Sequence, residues 1–156
     1  MIGSPAFAEL DEALSITGNC KHDDSTFFCV KFLKAHDGDT ATFEIPNVPP
    51  IIGHNISVRI KGIDAPELSG HGACERQQAR AAQELVQKVL STAKRIDLAN
   101  IQRDKYFRLL ADVLVDGKSL KQIVMDAHLA YAYNGGTKQK IDWCGKKRIP
   151  AKEDQP

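Results

Sequence analysis

The chain has no apolar run approaching the length that crosses a membrane, no internal repeat and no low-complexity segment. Its charges nearly cancel: 21 Lys and Arg stand against 20 Asp and Glu, a formal +1. A membrane-spanning helix and a solenoid are excluded. So is a global basic field, which leaves any polyanion site to a local cluster of Lys and Arg. No Cys-x-x-Cys pair occurs among the four cysteines, at 20, 29, 74 and 144, and the five histidines, at 22, 36, 54, 71 and 128, show no ligand spacing. Zinc and dithiol redox chemistry therefore have no framework. What remains is a 156-residue sequence with a 42% hydrophobic fraction, long enough for one domain with a real core.

An even number of cysteines without metal spacing fits two disulfides in an exported domain better than four buried thiols in a cytosolic one. Four cysteines allow three pairings. The favoured one joins Cys20 to Cys29 in front of the first strand and Cys74 to Cys144, from the start of the long helix to the tail. The second bridge closes a loop of 71 residues, Cys74 to Cys144 inclusive, worth about 4 kcal/mol on chain-entropy grounds. Ala6-Phe7-Ala8 is a small-x-small triplet of the kind that precedes signal-peptidase cleavage, without the hydrophobic stretch that should come before it. Residues 1–8 are read as the end of a signal peptide behind a replaced start, 9–145 as the folded domain and 146–156 as a flexible tail. Secreted or periplasmic residence follows from this reading.

Phe27 to Ala35 is rich in strand formers and ends at the turn His36-Asp37-Gly38-Asp39; Thr40 to Ile45 resumes the strand pattern. The Pro-rich residues from Pro46 form a loop leading to a third strand, in which Ile56, Val58 and Ile60 share one face and Ser57, Arg59 and Lys61 the other. From Cys74 the period becomes helical. Ala79, Ala82, Leu85, Val86, Val89, Leu90 and Ala93 form one stripe, predicting a helix near residues 73–93. Arg95 to Leu98 and Leu109 to Val115 read as strands, and Ser119 caps a helix carrying Leu120, Ile123, Val124 and Ala127. The order predicts an α+β fold: a five-stranded barrel of the oligonucleotide-binding type with two to three packed helices.

The third strand runs into Gly62-Ile63-Asp64-Ala65-Pro66-Glu67, which sets an Asp and a Glu three apart on a stiff turn beside a guanidinium. That grouping suits phosphate chemistry. Taken singly, the residues have duller readings. Asp37-Gly38-Asp39 is an ordinary hairpin turn and not an EF-hand, since Ala41 and Thr42 fall where a ligand and the obligatory Gly belong. Arg59 and Arg108 read as surface cations, Glu67 as a loop acid, and Tyr131 and Tyr133 as half-buried strand residues.

Three segments in order change the reading: Asp37-Gly38-Asp39-Thr40, Val58-Arg59 through Glu67, and Asp104-Lys105-Tyr106-Phe107-Arg108. Together they resemble the signature of the staphylococcal-nuclease-like family, the thermonucleases, and the similarity runs from about Phe28 to Tyr133. The resemblance implies that Asp39 and Asp64, with the Ala65 backbone carbonyl, hold calcium. It implies that Glu67 is the general base for the attacking water and that Arg59 and Arg108 grip the scissile phosphate. Lys105 and Tyr106 fall where the family contacts a terminal phosphate, and Tyr131 or Tyr133 where it stacks on or bonds to the nucleotide. An all-oxygen ligand set favours a hard ion, calcium or magnesium; the resemblance selects calcium, with magnesium the lesser candidate.

The function so implied is hydrolysis of phosphodiester bonds in DNA and RNA with 3′-phosphate products, and no membrane or obligate protein partner. Phe107 and His128 depart from the family, each standing where it usually has Gly. The rival readings are a catalytically silent SNase-like module that binds nucleic acid or protein, and an exported structural domain whose acids bind calcium for stability.

Overall fold

The computed structural model describes residues 18–145 and, as backbone alone, Lys147 and Arg148. The segment read as a signal-peptide end, 1–8, lies outside the described residues, as does the tail beyond 145 apart from those two.

Three antiparallel strands open the fold: β1 (Lys31–Ala35), β2 (Thr40–Glu44) and β3 (Ile56–Ile60). Between β2 and β3, Pro50–Gly53 forms a helical turn, α1, where a loop was expected. Pro50 supplies a preset φ at the first helical position, where a missing N–H costs nothing. β3 continues through Gly62, at φ 84°, into the two-residue β4 (Ile63–Asp64). Helix α2 (Ala73–Ser91) follows, then β5 (Ile96–Arg103), β6 (Leu109–Val115), β7 (Lys118–Ser119), α3 (Leu120–Asp126), β8 (Tyr131–Ala132), β9 (Ile141–Asp142) and β10 (Lys147–Arg148).

The main sheet runs β1-β2-β3-β6-β5, with β3 and β6 parallel and the other pairs antiparallel; β7 pairs with β6. The sheet curls until its edges meet. Phe27 and Leu98 exchange backbone hydrogen bonds at 2.9 and 2.8 Å, and the Val30 N–H donates to the Ile96 carbonyl at 2.9 Å, joining the segment before β1 to β5. This is the predicted barrel with three helices.

The run Phe27 to Ala35 is not one strand. Cys29 takes φ 55°, its N–H donates to Asp97 Oδ1 at 2.8 Å, and its sulfur is bonded to Cys20. Phe27 and Val30 thus serve β5, while Lys31–Ala35 turns to β2. β5 is longer than the short run expected, because an irregularity between Ala99 and Gln102, with Asn100 at φ 49°, bends it and lets pairing continue to Arg103.

Inside the barrel, Val58 and Ile60 of β3 meet Leu109, Ala111, Val113 and Val115, the inward set of β6. Ala82, Val86 and Leu90 of α2 join this core, as do Leu120 and Val124 of α3. Ser119 caps α3 as expected, accepting from the Gln122 N–H at 3.3 Å. Both favoured disulfides are present, Cys20–Cys29 and Cys74–Cys144.

Candidate active site

The hairpin loop between β1 and β2 is pressed against two neighbours. A Cβ on Gly38 would lie 2.6 Å from Ala82 Cβ on α2 and 2.8 Å from Ala65 Cβ after β4, so only glycine lets the loop approach. The helix also grips the loop: Gln83 Nε2 donates to the carbonyls of Ala35 and His36 at 3.2 and 3.1 Å, and the Ala35 N–H donates to Gln87 Oε1 at 3.1 Å. The result is that Asp39 is delivered beside Asp64 and Ala65.

Asp39 and Asp64 are 4% and 5% exposed. One guanidinium bridges them: Arg59 Nη1 lies 3.1 Å from Asp39 Oδ1, and Nη2 donates to Asp64 Oδ1 at 3.1 Å and to the Ile63 carbonyl at 3.2 Å. The Ala65 N–H donates to Asp39 Oδ2 at 3.0 Å, and Thr40 Oγ1 to Asp39 Oδ1 at 3.0 Å. Asp64 is held from the far side as well, by the Tyr131 hydroxyl on Oδ2 at 2.7 Å and the Lys138 ammonium near Oδ1 at 3.1 Å. The same ammonium reaches Glu67 Oε1 at 3.2 Å, on a side chain 58% exposed.

The two aspartates are tuned in opposite directions. Burial, then the neighbouring Asp37 carboxylate, pushes Asp39 up to about 7 against the pull of Arg59. Burial would raise Asp64 too, but Tyr131, Lys138 and Arg59 outweigh it and hold that carboxyl below its ordinary range. Burial and the bond to Asp64 push the Tyr131 hydroxyl up, so it stays a donor.

Arg108 is placed apart from this cluster. Asp104 braces its turn, accepting from the N–H groups of Tyr106 and Arg108 at 2.8 and 3.0 Å and from Arg108 Nε at 2.8 Å. Among the described residues no hydrogen bond or ion pair joins Arg108 to Asp39, Arg59, Asp64 or Glu67. Lys105 Nζ and the Arg108 guanidinium lie over the Tyr106 ring at 5.1 and 5.3 Å from its centroid. Phe107 takes φ 64° and His128 φ 57°, the left-handed region that glycine favours, so both glycine-type turns persist with other side chains in them.

Two clefts flank Arg59 and Asp64. One of about 530 Å³ is lined by Asp64, Glu67, His71, Tyr131, Lys138 and Trp143. A smaller one, about 230 Å³, is lined by Arg59, Ile63, Gln102, Leu110 and Tyr133. Tyr131 is thus committed to Asp64, whereas Tyr133 lines the smaller cleft and donates its hydroxyl to the Gly136 carbonyl at 2.6 Å.

Sequence reasoning gave no site role to Lys138, Asp104, Gln83 or Gln87. Gly38-Asp39 and the run to Glu67 could be read from spacing. Lys138 follows only a Gly-Gly-Thr loop, which carries no signal of its own.

Among the described residues no three His, Cys, Asp or Glu side chains converge on one point. Asp39 and Asp64 nonetheless fit a hard divalent cation. Both are buried oxygen donors on adjoining turns, and burial without a full counter-charge is what drives Asp39 upward. Such an ion would take few protein ligands and complete its shell with water or substrate oxygen.

A curled barrel that packs α2 behind a hairpin loop, with two buried acids bridged by a guanidinium, defines a class of small oligonucleotide-binding-type domains. Residues 57–155 match the family described as staphylococcal nuclease homologue. The chain belongs to that family. It is similar to the SPbeta prophage-derived endonuclease YokF of Bacillus subtilis (strain 168), 32% identical over 128 residues, which are 78% of this chain and 40% of that protein. It is similar also to Endonuclease YncB of the same organism, 33% identical over 128 residues, 78% of this chain and 57% of that one. The chain therefore spans about half the length of these relatives or less.

Proposed function

We propose that this chain is an exported, calcium-dependent, sugar-nonspecific nuclease that hydrolyses phosphodiester bonds of DNA and RNA and leaves 3′-phosphate ends. The observation that carries the reading is the pair of buried carboxylates, Asp39 and Asp64, bridged by Arg59 beside Glu67 in a member of this family. The endonuclease relatives and the two disulfides support it, the latter for export. No helix among the described residues is long and apolar enough to cross a membrane.

In this reading Asp39, Asp64 and the Ala65 carbonyl hold the cation, which when bound neutralises charge gathering on the phosphate oxygens and orients a water. Glu67 accepts the proton as the water oxygen bonds to phosphorus; the bond from phosphorus to the 5′ oxygen breaks, and that oxygen takes up a proton from solvent water. Arg59 keeps its bridge between the two aspartates and offers the phosphate its remaining N–H donors. Arg108 leaves Asp104 to offer its own from the opposite side. Lys105 and Tyr106 contact a terminal phosphate of the substrate, and Tyr133 meets the nucleotide in the smaller cleft, while Tyr131 keeps Asp64 ionised. Because binding rests on backbone phosphate, sequence preference is weak and affinity falls steeply with salt.

Digestion of single-stranded DNA, duplex DNA and RNA with calcium, magnesium or chelator tests the reading. Cleavage of all three with calcium is expected. Glu67→Gln should abolish turnover while sparing fold and nucleic-acid binding, and wild-type rates in that variant would remove the mechanism. Binding without cleavage in every condition would hand the case to a silent module.

A further inference from the structure

Lys138 belongs to none of the three motifs, yet its ammonium touches two carboxylates of the site, Asp64 Oδ1 at 3.1 Å and Glu67 Oε1 at 3.2 Å. The segment that brings it is anchored on both sides. Before it, the Tyr133 hydroxyl holds the Gly136 carbonyl. After it, the Tyr131 hydroxyl donates to the Gln139 carbonyl at 3.3 Å, Trp143 is buried, and Cys144 is bonded to Cys74. Lys138 itself remains 48% exposed. A long side chain held between two carboxylates has given up rotamer freedom that a solvated lysine keeps.

Every contact on Asp64 can be counted from the described residues. Oδ1 receives Arg59 and Lys138, and Oδ2 receives Tyr131. A cation joining Asp64 competes with these donors for the carboxylate, and at Oδ1 directly with Arg59 and Lys138. Arg59 is enclosed and also holds Asp39 and the Ile63 carbonyl; Tyr131 is fixed by the strand pairing of Asp64 with Tyr131. Lys138 is the half-exposed one, a point charge on a flexible stem, and therefore the easiest to move.

We propose that Lys138 is a positioning residue of the phosphodiester site: it holds Glu67 beside Asp64 and occupies the place a divalent cation must enter. When cation and nucleic acid arrive, it is displaced onto a backbone phosphate beside the scissile one. The inference rests on the roles given above to Asp64 and Glu67. An ammonium and a divalent cation repel at a shared oxygen, so removing the first strengthens the second.

Calorimetric titration of calcium into the full-length, oxidised protein without nucleic acid tests this, comparing wild type with Lys138→Met and Lys138→Arg. The Met variant, which keeps the apolar stem, should bind calcium about fivefold more tightly, the upper range for a half-exposed ion pair. Its KM for single-stranded DNA should rise more than its kcat falls, and the Arg variant should restore both values. A purely structural role would lower the unfolding temperature without tightening calcium. Equal or weaker calcium binding in the Met variant overturns the role of Lys138 while leaving the site intact. No calcium binding by either protein overturns the cation reading itself.

Discussion

Gly38→Ala is the perturbation whose outcome the geometry fixes most tightly. The new Cβ would sit 2.6 Å from Ala82 Cβ and 2.8 Å from Ala65 Cβ, whereas carbon atoms pack best at about 3.5–4.0 Å. Neither neighbour is the free end of a flexible side chain. Ala82 is fully buried on α2, and Ala65 is buried on the turn beyond β4. The loop must therefore retreat by about an ångström, and overpacking of this kind costs about 1–3 kcal/mol. For a domain of this size that is a fall of roughly 2–4 °C in Tm per kcal/mol. The retreat carries Asp39 with it, stretching the 3.0 Å bond to the Ala65 N–H and the 3.1 Å contact with Arg59 past hydrogen-bonding reach. Loss of function should thus exceed loss of stability. Thermal unfolding, calcium titration and phosphodiester hydrolysis on the same sample separate the two. A Tm within a degree of wild type with calcium binding intact would show that the loop yields elsewhere, and would refute the reasoning.

Further outcomes follow from other features. Asp39, raised from an ordinary 3.8 to about 7, stabilises the cation-free fold below its unfolded pKa and loses that contribution as pH rises through about 7; a cation needs the ionised form, so calcium affinity should weaken by up to about tenfold per unit below pH 7. Calorimetry at pH 6 and pH 8 checks this, and equal affinities would contradict it. Replacing Cys74 and Cys144 by Ala should cost about 2–4 kcal/mol in urea unfolding and weaken cleavage further by loosening the segment that carries Lys138; an unchanged midpoint would remove the bridge from the account of stability. Phe107, 87% exposed at φ 64°, should be replaceable by Gly with a gain of up to about 1 kcal/mol, the left-handed penalty less the glycine entropy. A clear fall in Tm for that variant would show that the phenyl ring contributes packing.

Alternation and helical period located the barrel strands and the α2 stripe because both are one-dimensional signals of which face is buried. β6 alternates from end to end, and Ala79, Ala82, Val86 and Leu90 are the buried side of the predicted helix. The favoured cysteine pairing is the one present, although sequence alone did not choose it among the three. What could not be read are partnerships made by distant reversals. Cys29 breaks its strand because Asp97, 68 residues away, accepts its N–H. Tyr131, given with Tyr133 as a nucleotide contact in the family pattern, also donates its hydroxyl to Asp64, 67 residues back. In each case the deciding partner is set by where the barrel closes, which no local window contains.

The pairing of β4 with β8 gives the molecule an order of assembly. Asp64 and Tyr131 face each other across the last pair of strands to bring the two halves of the chain together, and closing so long a loop is slow relative to local hairpin and helix formation. The acids, the barrel and α2 can all be in place while Asp64 still lacks its hydroxyl and ammonium partners. A chain ending before Tyr131 lacks both of these Asp64 partners.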